Sequence, residues 1–166
     1  DFVREVASTF INTFWNTYVF FVMYAKLDQV DLTRQVPVEN RPEIDRWILA
    51  LLQRTIATTT EAMDSYHPRR AGEAIEDFVD QLSNWYVRRN RSRFWKATEG
   101  EDKQAAYLTL CESLETVNRL MAPFMPFLSE SVYQNLVRGV DSGAALSVHM
   151  ASWPTVTEVQ CDESLI

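Results

Sequence analysis

The chain has 166 residues, 46% of them hydrophobic, which suits one domain with a full core and excludes a disordered chain. Sixteen basic residues face 23 acidic ones, and the formal net charge of −7 argues against indiscriminate binding to RNA or to acidic membranes. Four glycines and six prolines are too few for an all-β protein rich in turns.

The chain opens on Asp1-Phe2-Val3-Arg4, without an initiator Met and already in a helical pattern, which reads as a piece of a longer protein. A first helix is predicted over residues 2–25, where Val3, Val6, Phe10, Phe14, Tyr18 and Phe21 recur at spacings of three and four. Ile11, Trp15, Val19 and Val22 broaden that stripe, so the helix is expected to be largely surrounded by others. Asn12, Thr13, Asn16 and Thr17 interrupt the apolar run, which is too polar and too short for a membrane span and lacks the flanks of a signal peptide.

Residues 26–42 read as a long connector, with Asp28, Asp31, Pro37, Asn40 and Pro42 breaking any period. A second helix starts near Pro42 and Glu43, buries Ile44, Ile48, Leu51, Leu52 and Thr55, and ends near Tyr66, because Pro68 disfavours helical geometry at His67. The third runs from about Pro68 with Ala71, Ala74, Ile75, Phe78, Leu82 and Trp85 on one face. After a loop pivoting on Gly100, a fourth helix is predicted over residues 101–121, with Tyr107, Leu110, Leu114, Val117 and Met121 as its stripe. The prolines Pro123 and Pro126 mark a break into a fifth, residues 126–138. There Phe127, Leu128, Val132, Tyr133 and Leu136 are expected to point inward and Gly139 to end the helix. Leu146-Ser147-Val148-His149-Met150 alternates like a short extended segment, Trp153-Pro154 would anchor it, and the chain after Pro154 is a polar tail. The expected fold is an all-α antiparallel bundle of about five helices over residues 1–140. A C-terminal extended segment and tail follow over residues 141–166.

The third helix runs into the one segment that departs from the acidic background. From Trp85 to Lys96 it holds five basic residues and no acid, so that 16 less five leaves 11 basic residues against 23 acidic ones elsewhere. Arginines interleaved with aromatic rings suit phosphate pairing and base stacking. A 100° step per residue divides the segment into an outward set, Asn84, Arg88, Arg91 and Trp95, and an inward set, Trp85, Arg89, Arg93 and Lys96. The outward set is the better RNA candidate; the inward cations are equally suited to pairing with acids such as Asp77, Asp80 or Glu112. An Arg-rich docking site for an acidic protein is the alternative from a different class.

Catalytic and metal chemistry is not written in the chain. His67 and His149 lie far apart, no Glu-x-x-His pair exists, and no Gly-rich phosphate loop or Ser/His/Asp set is present. Cys111 and Cys161 form neither a disulfide framework nor a zinc knuckle, so a reducing cytoplasm is the expected compartment.

The stretch Asp80-Gln81-Leu82-Ser83-Asn84-Trp85-Tyr86-Val87-Arg88-Arg89-Asn90-Arg91-Ser92-Arg93-Phe94-Trp95 resembles the corresponding helix of the isoleucyl-tRNA synthetases. Four further stretches agree in order: Trp15-Asn16-Thr17-Tyr18, Asp45-Arg46-Trp47-Ile48-Leu49, Ala122-Pro123-Phe124-Met125-Pro126-Phe127-Leu128, and Ser147-Val148-His149-Met150-Ala151-Ser152-Trp153-Pro154. The resemblance covers the helical anticodon-binding domain of that family. Relatives specific for valine, leucine or methionine share the bundle, and the arginine-rich helix end favours isoleucine. The resemblance implies a monomeric, cytoplasmic piece that grips the tRNA anticodon stem-loop and carries no catalytic motif, cofactor or metal of its own. ATP and Mg would serve a catalytic domain elsewhere in the parent chain. The residues implied in tRNA contact are Asn84, Arg88, Arg91 and Trp95, then Arg89, Arg93 and Lys96.

Overall fold

Apolar residues repeating every three or four positions fold into helices throughout, in a computed structural model that describes residues 7–95 and 100–157. Six α-helices occur among the described residues: α1 (Asn12–Leu27), α2 (Glu43–Asp64), α3 (Pro68–Asp80), α4 (Arg88–Trp95), α5 (Glu101–Met121) and α6 (Pro126–Tyr133). A π-helical stretch, Gln81–Val87, carries α3 into α4 without a break, so the two make one rod. Shorter π turns, Ala7–Ile11 and Gln134–Arg138, precede α1 and follow α6. Five rods result, as the sequence predicts, with no strand among the described residues. No helix among those residues is long and apolar enough to cross a membrane.

The bundle is built around α5, which packs against all five other helices. Its predicted stripe of Tyr107, Leu110, Leu114, Val117 and Met121 is buried, and Glu101 and Asp102 in its first turn complement the helix dipole. On α2, Ile48, Leu49, Leu52 and Ile56 close over α5. Tyr66 then adopts a left-handed backbone, φ 58°, and the chain turns into α3 at Pro68.

The connector is fastened rather than loose. After a 3₁₀ turn, Val38–Asn40, the guanidinium of Arg41 enters the bundle. It pairs with both carboxylate oxygens of Glu112 at 3.0 Å and donates to Thr109 Oγ1 and to the Val36 carbonyl.

Two sequence expectations about burial are corrected. On α1, Phe14, Tyr18 and Phe21 are buried, but Trp15 and Val19 face solvent with Met23. That helix lies at the edge of the bundle, and its broad apolar stripe is covered on one side only. Phe127 is 91% exposed because it sits in the first turn of α6, before the helix reaches the core at Val132. Gly139 ends the last helix, as expected, in right-handed backbone, φ −65°. A Cβ there would lie 2.8 Å from the Asn135 carbonyl, so close backbone approach is what requires glycine. Val3 and Val6 lie outside the described residues.

The alternating segment near the C-terminus contains a 3₁₀ turn, Val148–Met150, between extended Ser147 and Ala151. Glu130 accepts hydrogen bonds from Ser147 Oγ and the Val148 amide. Trp153 anchors the strap as expected, its indole donating to Thr60 at 2.8 Å. Cys161 lies outside the described residues.

Candidate nucleic-acid interface

The π stretch determines what the basic segment exposes. A π turn holds one residue more than an α turn, so the helical phase beyond Leu82 lags by about 100°. The buried series therefore runs Ile75, Phe78, Leu82, Tyr86, Asn90 and Phe94. Trp85 and Arg89, both expected inside, are outside: Trp85 is 46% exposed, and the Arg89 guanidinium lies 3.9 Å from the centre of its ring. Tyr86, which the sequence leaves undecided, takes the inward place and is fully buried.

Arg88 and Arg91 are exposed, as predicted, together with Arg89. None of the three has an ion pair among the described residues. Trp95 is 60% exposed at the end of α4, and Asn84 donates to Asp80 at 2.6 Å. The exposed surface of the rod thus carries three guanidinium groups without an ion pair among the described residues, preceded and followed in the chain by an exposed indole. Lys96 lies outside the described residues.

Arg93 turns inward, and its partners are not the acids the sequence suggests. Its two terminal nitrogens grip the two carboxylate oxygens of Asp45 at 2.6 and 2.8 Å, and one of them also reaches the carbonyl and carboxylate of Asp102. Tyr86 donates its hydroxyl to Asp45 at 2.8 Å, and Asn90 bridges the Tyr86 carbonyl and Arg93. Burial pushes the Tyr86 hydroxyl well above its ordinary pKa, and the neighbouring Asp45 charge adds to the effect. Burial alone would lower the Arg93 pKa, but the hydrogen bonds and charge of Asp45 outweigh it and hold the guanidinium above the usual arginine range. Beneath this node Phe94 stands edge-on to Phe20 and to Tyr107, seating α4 on α1 and α5. Asp45, Tyr86 and Asn90 escape a reading by composition. The available signal is a charge in phase with an apolar stripe, since Asp45 shares the spacing of Ile48, Leu49 and Leu52.

Nucleophilic chemistry has no foothold in the thiol of Cys111, which burial and the nearby Glu115 and Glu112 push up to about 12. No group of three or more His, Cys, Asp or Glu is placed to hold a metal ion among the described residues. The exposed side of the rod offers guanidinium donors for phosphates and flat rings for bases or riboses.

Comparison with known proteins bears on this geometry. The family described as the anticodon-binding domain of tRNA ligase matches residues 45–165. The isoleucine–tRNA ligase of Thermus thermophilus is 50% identical over an alignment covering 100% of this chain and 16% of that protein. Those of Deinococcus radiodurans and Clostridium tetani are 50% and 46% identical, over 98% and 99% of this chain and 15% of each relative. The chain thus spans 15–16% of the length of these relatives. Among solved structures, the LeuRS–tRNA–LeuAMS ternary complex of Agrobacterium radiobacter K84 shares the fold, with a TM-score of 0.67 at 21% identity. The likeness covers 95% of this chain and 17% of the synthetase chain.

Proposed function

This chain belongs to the family of anticodon-binding domains of tRNA ligases, and we propose that it serves an isoleucine–tRNA ligase by gripping the anticodon stem-loop with the outer side of α4. The observation that carries the proposal is the exposure of Arg88, Arg89 and Arg91 along one short helix, free of intramolecular acids among the described residues, with Trp85 and Trp95 exposed before and after them in the rod. On a chain of net charge −7, such a local concentration of cations makes binding oriented rather than indiscriminate. Identities of 41–50% to isoleucine–tRNA ligases support the choice of amino acid.

Arg88, Arg89 and Arg91 pair with backbone phosphates in this reading, and Trp95 stacks on a base or ribose. The domain supplies binding, as a single copy in the cytoplasm. Adenylation with ATP and Mg, and transfer to the tRNA, belong in this reading to a catalytic domain elsewhere in the same parent chain, of which this chain spans 15–16% in the relatives.

The test is tRNA binding by the full-length ligase across a salt series. With three phosphates engaged, log affinity falls with log salt at a slope of about −2 to −3. The double reversal R88E/R91E is expected to weaken binding and flatten the slope while leaving the helical circular dichroism intact. Wild-type affinity in that variant would remove both residues from the interface. Polyglutamate competing as well as tRNA would assign the edge to an acidic protein instead.

A further inference from the structure

We propose that Asp45 and Arg93 are positioning residues: their buried pair, completed by Tyr86, Asn90 and Asp102, sets the rotation at which α4 presents Arg88, Arg89 and Arg91 to RNA. The inference rests on the tRNA-binding reading above and reassigns Arg93 within it, from a contact to the part that aims the contacts.

Three elements meet at this node. Asp45 comes from the first turn of α2, Tyr86, Asn90 and Arg93 from the rod, and Asp102 from the first turn of α5. Asp45 is fully buried and the Arg93 side chain is 11% exposed, so neither group is presented to a ligand. Tyr86, Asn90 and Arg93 follow at spacings of four and three; the π stretch turns Tyr86 and Asn90 inward, whereas Arg93 faces inward with or without the shift. A plain α continuation would bring Trp85 and Arg89 inward and take a cation and an indole off the surface. Asp45 accepts from Tyr86 and Arg93 at once, and because Tyr86 is inward only in the shifted register, that shared carboxylate selects it.

Stability alone does not account for the node. A buried ion pair is commonly no more stabilising than apolar residues of the same volume, whereas fixing a register is its best-attested use. Arg93 Nε is itself buried without a partner among the described residues, and the other carboxylate on the guanidinium, Asp102, has a side chain 63% exposed. Removing the Asp45 charge leaves Asp102 as the carboxylate that holds Arg93, which draws the guanidinium toward the surface, and α4 turns with it.

Asp45 cannot reach RNA, so any effect of its substitution on RNA binding is transmitted through α4. In the full-length ligase the near-isosteric Asp45→Asn is expected to raise the KM and Kd for tRNA about tenfold. Both kcat at saturating tRNA and tRNA-independent pyrophosphate exchange should stay at wild-type values. Arg93→Gln should weaken tRNA equally, Arg93→Lys should restore part of the loss, and the double variant D45N/R93Q should be no worse than either single one. The proposal falls if D45N binds tRNA like wild type while R93Q weakens binding and removes about one contact from the salt slope, because Arg93 would then touch RNA directly. Additive losses in the double variant would also overturn it. Should D45N fail to fold, Tyr86→Phe, which removes only one donor to Asp45, is expected to shift KM in the same direction. Unchanged affinity in folded Y86F would equally sink the idea. R88E/R91E separates the layers: loss there without loss in D45N rejects positioning alone, and no loss there rejects the tRNA reading itself.

Discussion

Asp28, just past the end of α1, shows how one carboxylate ties two helices. It accepts hydrogen bonds from Tyr107 Oη at 2.5 Å and pairs with Lys103 Nζ at 2.6 Å, both on α5. Burial opposes its ionisation, but the bonds from Lys103 and Tyr107 prevail and hold its carboxyl below the usual range. The folded-state pKa thus lies beneath the unfolded value of about 3.9. The stabilisation is complete above that unfolded value and disappears as pH falls through the folded one. Urea unfolding of wild type and Asp28→Asn should therefore show a stability gap at pH 7 that narrows below about pH 4; a gap independent of pH would mean the carboxylate charge is not what binds α1 to α5. Arginines make the same point about context. Arg41 and Arg93 are internal fasteners and Arg88 and Arg91 are exposed, although all four are one residue type; what differs is whether an acid waits inside.

Two glycines at the element scale have opposite expectations. Gly72 lies within α3 and has open space where a Cβ would stand, with nothing inside 4 Å, so Gly72→Ala should stabilise by about 0.5–1 kcal/mol through helix propensity and chain entropy. At Gly139 the same change pushes a methyl against the Asn135 carbonyl and should cost about 1–3 kcal/mol. Thermal melts of the two variants check the pair, and equal shifts would contradict the contact geometry. The elements themselves were legible where a period runs undisturbed, as in α5, whose bounds and stripe match the prediction residue for residue. Legibility ended where local geometry changes the period or the depth. The π stretch moved Trp85 and Arg89 outward, and the first-turn position of Phe127 left it in water. Trp15 and Val19 are apolar in phase with the core yet lie on an uncovered side, because a period reports direction and not how many neighbours stand there. Arg41, in a connector with no period at all, offered no signal.

Across the whole molecule, the C-terminal strap closes the bundle by crossing from α6 back to α2. Its contacts run from Glu130 with Ser147, through Trp153 with Thr60, to the Thr157 amide on Gln53. Trp153 also packs on the main core. Trp153→Ala is expected to lower the thermal midpoint by about 5 °C with the far-ultraviolet helix signal preserved; an unchanged midpoint would make the strap dispensable. The strap leaves the rod's outer side open, and there the asymmetry of charge has a kinetic consequence. An acidic body with one cationic edge is an electric dipole. Near a polyanion it feels a torque that turns the arginines forward before any atom touches, while its other faces are pushed away. Orientation is then partly settled during approach, and lowering ionic strength should quicken association more than it slows release.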